Sequence, residues 1–304
     1  MAINTVKVTI QGQEYTLTYN GTSGKYEATI TAPSGSSYNN NAEHYFPVQV
    51  TATDMAGNAK TIDDTDGTLG SALKLRVKEK VKPTIAITGP SAGAYVATNT
   101  PTITAQLRDA DSGIDISTFT LKIDSGANLV NGSPGMTVTP VAGGYNISYV
   151  PQVALSDAAH TITVNVSDFD GNIATAATSS FTVDTVPPVL NVTSPAQSLI
   201  TNNPTLTVAG STSDANGLTV TIKLNGVDQG AVTVASGNFS KNITLATQGA
   251  NTIEVKSTDL AGKLTTVTRN ITFDTIAPTI SAVTIIPNPV DAGQTFIISV
   301  TAAD

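Results

Sequence analysis

The sequence predicts an all-β protein built from antiparallel β-sandwiches in tandem, and three observations predict it. Apolar and polar residues alternate with a period of two along most of the 304 residues, and helical periodicity is nearly absent. One phrase recurs three times: Val48-Gln-Val50-Thr-Ala52-Thr-Asp54-Met-Ala-Gly57-Asn58, then Ile162 to Asn172, then Ile253 to Lys263. New alternating runs open at Pro83, Pro188 and Pro278. Repeats roughly a hundred residues apart are whole domains, not the short units of solenoids or propellers.

Taken in order, the chain divides into residues 1–82, 83–186, 187–276 and a two-strand partial unit at 277–304. In the second and third domains, Pro83–Ile87 and Val189–Val192 are first strands, and Thr102–Leu107 and Thr205–Val208 second strands. Phe119–Ile123 and Leu218–Leu224 come third, and Gly144–Tyr149 and Gly237–Ile243 fourth. The recurring phrase and a last strand (Ser180–Val183; Asn270–Phe273) complete each domain. Six or seven short strands with turns every 8–12 residues or about that mark an antiparallel sandwich.

The two ends differ. Val6–Ile10 aligns with the third strand Phe119–Ile123, and Gly24–Ile30 with the fourth, so the first domain is expected to lack two strands. The tail offers the complement, with Pro278–Val283 as a first strand and Gln294–Val300 as a second. An open sandwich and a free hairpin are each poorly stable, and each would remedy the other. Strand addition between chains is therefore expected, with Ile280, Phe296, Ile298 and Val300 as the donated apolar residues. Such a head-to-tail contact builds a ring or a fibre. Three alternatives stay open: a tail packed on the third domain, a tail that continues into a longer chain, and a first domain that is a complete short variant.

Composition narrows the function. Charged residues are 12% of the chain, about half the usual share, and Thr, Ser, Asn and Gly suit solvated strand faces and turns. The net charge of −8 argues against nucleic acid, whose phosphates need a basic face. With no cysteine, disulfides and thiolate metal sites are excluded, so each domain stands on apolar burial alone. Met1–Ile10 alternates like a strand, so no secretory signal is expected, and no apolar run reaches membrane-spanning length.

The pattern Val-x-Val-x-Ala-x-Asp-x-x-Gly-Asn, with Asp-Thr-x-x-Pro at 184–188 and 274–278, resembles bacterial and phage immunoglobulin-like (or fibronectin type III-like) repeats over nearly the whole chain. The layout is similar to immunoglobulin-like proteins encoded near tail genes in prophages of Gram-positive bacteria. The resemblance implies tandem immunoglobulin-like sandwiches and a non-enzymatic structural or adhesive part of a virion or tail-like particle. Its partners would be further copies of itself, other virion or surface proteins, or a surface glycan. The alternatives are a bacterial surface adhesin or extracellular fibre subunit, and an accessory binding module of a secreted carbohydrate-active enzyme. The motif specifies the fold far better than the role.

Candidate sites follow from residue type. Asp54, Asp168 and Asp259 each open a loop ending at Gly57, Gly171 or Gly262, where a carboxylate can accept backbone N–H groups and glycine supplies a positive φ. Asp109, Asp111, Asp115, Asp168, Asp170 and Asp184 could instead gather the oxygen ligands of Ca²⁺ near a domain junction, although they match no calcium loop. The run Lys74-Leu-Arg76-Val-Lys78-Glu-Lys80-Val-Lys82 reads as a last strand whose basic face is solvated or meets an acidic partner, the loop Asp63-Asp64-Thr-Asp66 being one. Tyr38, His44 and Tyr45 sit on a polar loop that either packs on its own sheet or forms a contact surface. Catalysis finds no support: His44 and His160 lie in different domains, and Gly21-Thr-Ser-Gly24-Lys25 lacks phosphate-loop spacing.

Overall fold

The computed structural model describes residues 2–304. They form two compact units, residues 2–184 and 185–304.

The first unit begins with a single mixed-length sheet. Its strands are β1 (Ile3–Ile10), β2 (Gln13–Asn20), β3 (Lys25–Glu27), β4 (Phe46–Asp54), β5 (Ala59–Ile62) and β6 (Lys74–Leu75). The order is β3-β2-β1-β4-β5, with β6 paired to the start of β4. Gln11 and Gly12, both at positive φ, close the β1–β2 hairpin, the backbone that matches the twist of antiparallel strands. Among the described residues, no second sheet faces this one. Ile10, Phe46 and Val77 form its small core, against which Ile30, Tyr15 and Leu75 pack. The expected strand over Gly24–Ile30 is a correction: only Lys25–Glu27 pairs, and it extends the same sheet through β2.

The rest of the first unit is a complete sandwich. It contains β7 (Thr84–Gly89), β8 (Ala94–Val96), β9 (Ile103–Arg108), β10 (Ile114–Ile123), β11 (Met136–Val141), β12 (Gly144–Tyr149), β13 (Ala159–Asp168) and β14 (Ala177–Val183). One sheet runs β10-β13-β14-β8 and the other β11-β12-β9-β7. The opening strand is split: β7 pairs antiparallel with β9, and β8 crosses over to run parallel to β14. Strict alternation along β13 drives Ile162, Val164 and Val166 into the core with Phe119, Leu121 and Phe181. Each side chain of this size contributes about 1.5–3 kcal/mol on burial.

The second unit repeats the plan. Its strands are β15 (Val189–Ser194), β16 (Leu199–Thr201), β17 (Thr205–Ser213), β18 (Leu218–Leu224), β19 (Val227–Asp228), β20 (Val234–Ala235), β21 (Asn238–Thr244), β22 (Gly249–Asp259) and β23 (Leu264–Phe273). The sheets run β15-β17-β21-β20 and β16-β23-β22-β18-β19, around Val208, Ile222, Ile253 and Val255. Gly210 is required here, because a Cβ at that position would lie 2.1 Å from the Asn191 carbonyl oxygen.

A hairpin of β24 (Thr279–Ile286) and β25 (Ile297–Ala303) completes the unit and pairs only with itself. Its register sets Ile280, Val283 and Ile285 opposite Ala302, Val300 and Ile298, and an irregularity between Ile280 and Ala282 keeps them on one face. That apolar face is solvent-exposed.

Candidate functional site

Within the first unit, the linker after β6 runs into the sandwich, and most of the unit's polar chemistry gathers there. Residues 76–82 pair with no strand, which corrects the expected last strand. Alternation survives nonetheless: Arg76, Lys78 and Lys80 face solvent, while Val77 and Glu79 point inward. The Glu79 amide donates to Asp170 Oδ2 at 3.0 Å, and Asn172 Nδ2 donates to the Glu79 carbonyl at 3.2 Å. Lys78 Nζ donates to the Asp170 carbonyl at 3.1 Å. Opposite them, the Ser112 amide donates to Glu79 Oε1 at 2.7 Å.

The turn after β13 supplies the other wall. The Asn172 amide and side chain donate to Asp168 Oδ1 and Oδ2, both at 2.7 Å. Asp54 accepts the Asn58 amide at 2.9 Å and Asp259 the Lys263 amide at 2.8 Å, so all three copies build one turn. The glycines Gly57, Gly171 and Gly262 take φ of 89°, 90° and 87°, the left-handed region that glycine enters without the steric cost a side chain would add. The turn reading of these aspartates is therefore what the structure contains.

The acids expected around Ca²⁺ separate into those that converge and those that do not. Asp109 and Asp168 converge with Glu79, each offering an oxygen within 4.8 Å of the others, and all three are buried. Asp111 Oδ2 accepts the Ser36 amide at 2.8 Å, while Asp170 holds the linker, so these two brace the loops around the cluster. Asp115 is taken up by the amide and hydroxyl of Ser117, and the Asp184 amide donates to the Val96 carbonyl; neither joins this group. Glu79 and Ser112 were not singled out from the sequence. The signal for Glu79 was its place on the inward side of the 74–82 alternation.

The aromatic loop closes over the same place. Tyr38 stacks between His44, at 3.9 Å between centroids, and Phe169, at 4.3 Å, with planes within 8° of parallel. Asn39 Nδ2 donates to the Asp111 and Ser112 carbonyls at 2.6 and 3.2 Å. Tyr45 is buried and donates to Asp64 Oδ2 at 2.6 Å, which raises its phenol pKa because the ionised form would lose that bond and face a carboxylate. Lys74 Nζ lies over the Tyr45 ring at 4.8 Å and pairs with Glu43, not with the acidic loop. Of the three expected contact residues, Tyr45 is buried and bonded inside the unit, while Tyr38 and His44 stay half-buried in the stack. The acidic loop is self-bonded as well, Asp63 by Thr65 and Asp66 by the Thr68 and Leu69 amides. Of the basic stripe, Arg76, Lys78, Lys80 and Lys82 are exposed, and Lys78 Nζ is bonded to the Asp170 carbonyl.

His160 is buried and lies between two acceptors, Asp124 Oδ2 at 2.7 Å and the Ser156 carbonyl at 2.9 Å. Burial disfavours its charged form, but the Asp124 and Ser156 hydrogen bonds outweigh that and raise its pKa. For Asp124, burial acts upward and the His160 and Thr161 bonds prevail, so its pKa is lowered. This pair ties the end of β10 to the start of β13. Ile280, Phe296, Ile298 and Val300 remain exposed on or beside the terminal hairpin.

Comparison with known proteins agrees with this architecture. Residues 83–164 match the family model described as a bacterial Ig domain, and residues 188–275 that of glucodextranase, domain B. Bacillopeptidase F of Bacillus subtilis (strain 168) is 35% identical over 114 residues, which is 38% of this chain and 8% of that protein. The chain thus spans under a tenth of that relative's length. Among solved structures, the fibronectin(III)-like modules of Clostridium thermocellum CbhA are 15% identical, covering 62% of this chain and 94% of theirs at a TM-score of 0.39. The titin I-band fragment I67–I69 is 11% identical, covering 90% of this chain and 88% of its own at a TM-score of 0.40. Two successive sandwiches with the split opening strand, each matched by its own domain model, make this chain a tandem array of immunoglobulin-like β-sandwiches.

Proposed function

We propose that the chain is a non-catalytic spacing and attachment array of an extracellular or surface-exposed protein. The observation that carries this reading is the joint at Glu79, where the linker is hydrogen-bonded into the next sandwich instead of hanging free. An array that positions something needs such coupling between neighbours, because a flexible string transmits no geometry. The polar groups that could serve chemistry are already engaged: His160 by Asp124 and Ser156, and Asp54 and Asp168 by their own turns. The likeness to Bacillopeptidase F and to a domain of glucodextranase supports a place beside a peptidase or glycan-cleaving domain. The virion setting rests on the sequence resemblance alone. The test is to incubate the full chain with casein, with dextran and with Gram-positive cell walls. Retention on the walls without product from any substrate is expected. Turnover that disappears in His160→Gln would overturn the reading.

A second reading adds self-association, favoured by the hairpin's exposed apolar face and by the first module's sheet, which loops rather than strands cover. In this reading β24 and β25 of one copy lie over that sheet in another. Light scattering over a concentration series, on the full chain and on one ending at Ala277, tests it. Mass that grows with concentration only in the full chain is expected; equal masses in both would remove the idea.

A further inference from the structure

Glu79, Asp109 and Asp168 present a cost that nothing in their hydrogen bonding removes. They are 7%, 7% and 2% exposed, and an oxygen of each lies within 4.8 Å of the others. Charges of one sign so close and so far from water repel strongly unless a cation sits among them. Among the described residues, no lysine or arginine forms an ion pair with any of the three. The lysine next in the chain, Lys78, donates to a carbonyl instead. The bonds that are present arrange the carboxylates without neutralising them: Ser112 N–H to Glu79 Oε1, Asp111 and Gly113 N–H to Asp109 Oδ1, Asn172 to both oxygens of Asp168.

A second feature is independent of the acids. The Ser112 hydroxyl is fully buried and has no hydrogen-bond partner, which native proteins rarely tolerate. Its amide nitrogen is 2.7 Å from Glu79 Oε1, so its Oγ, about 3 Å from that nitrogen by covalent geometry, lies within about 6 Å of that carboxylate oxygen, inside the span of one ion's ligand shell. A hydroxyl oxygen is a ligand for a hard cation and would be satisfied by one. Two of these groups, Asp109 and Ser112, also line a cavity of about 390 Å³ together with Asp111 and Asn39.

We propose that Glu79, Asp109 and Asp168 bind one Ca²⁺ ion, with the Ser112 hydroxyl as a further oxygen donor, and that the ion locks the first module to the sandwich that follows it in the same unit. An all-oxygen set without histidine or cysteine suits Ca²⁺ over zinc or copper. The irregular geometry of two loops and a linker suits it over Mg²⁺, which demands a near-ideal octahedron. The ion is held by residues from both sides of the joint, so it stabilises only the docked arrangement. This assignment does not depend on what the array attaches to.

The experiment uses the full chain stripped of divalent ions. Calorimetric titration with CaCl₂ is expected to show saturable binding, with Kd at or below about 1 mM as in extracellular modules. Thermal unfolding should shift upward by about 5–10 °C at a hundredfold excess over Kd and reverse with chelator. Glu79→Gln and Asp109→Asn should each weaken binding by about tenfold or more, since affinity follows ligand charge, while Asp115→Asn leaves it unchanged. Terbium luminescence on the unmodified chain, sensitised by tyrosine and displaced by Ca²⁺, covers the case in which a variant fails to fold. Absence of heat, thermal shift and displacement at 10 mM CaCl₂ (a level about tenfold above the weakest expected Kd) would overturn the proposal. So would binding that survives both Glu79→Gln and Asp109→Asn undiminished.

Discussion

The first module and the sandwich that follows it in the same unit carry the same closing turn on very different foundations. In both, an aspartate at the end of a long strand accepts the amide four residues on, and a glycine at positive φ completes the loop. Asp54 does this at the protein surface, over a core of three buried residues. Asp168 does it almost wholly buried, above two packed sheets and against the linker of the preceding module. The difference teaches that the turn is a local device, whereas the work its carboxylate does depends on what is folded against it.

Four measurements would break or sharpen that comparison. The largest expected effect is Phe119→Ala, which empties the centre of a fully closed core and should cost about 3–5 kcal/mol in denaturant unfolding. Ile10→Ala in the open module, where loops can settle into the space, should fall at the low end for such changes, about 2 kcal/mol. Equal losses would mean that the first core is as tightly closed as the second.

Next come the turns themselves. Asp168→Ala removes two hydrogen bonds and leaves the half-buried Asn172 amide without its acceptor, at about 1–3 kcal/mol. Asp54→Ala should cost clearly less, because water replaces the lost acceptor. Denaturation midpoints that reverse this order would refute the view that burial separates the two turns.

The stack across the joint should be worth about 0.5–1.5 kcal/mol by a double-mutant cycle of Tyr38→Ala and Phe169→Ala. Additive losses, with no coupling, would place the loop free of the sandwich.

The smallest effect concerns pH. The raised His160 contributes stability fully below the ordinary imidazole value and loses it as pH climbs through its folded pKa. The lowered Asp124 contributes above the ordinary carboxylate value and loses it as pH falls through its own. The sandwich should therefore melt lower as pH rises from about 6 to 9, and His160→Gln should flatten that slope. A wild-type slope of the opposite sign would show that the imidazole is neutral in the fold.

Much of this was legible because alternation and turn chemistry are local. Ile162, Val164 and Val166 announce the buried side of β13 by spacing alone, and the Asp-x-x-Gly phrase specifies its turn wherever it occurs. The strand over Gly24–Ile30 was misplaced because the same short alternating run can extend one sheet or open another, and only partners decide between them. Tyr38 and Tyr45 looked available because a polar loop gives no sign of where its rings turn.

By itself, the sequence determined the fold class, the repeat and the conformation of each closing turn, since these depend on residues a few positions apart. Tertiary structure alone decided that Glu79 meets Asp109 and Asp168, three acids separated by up to ninety residues of chain or about that. It also decided that the first module has one sheet and that the hairpin's apolar face stays open. The physical reason is the same in each case. A side chain's pattern says which way it points, but its energy depends on what the rest of the chain brings to meet it.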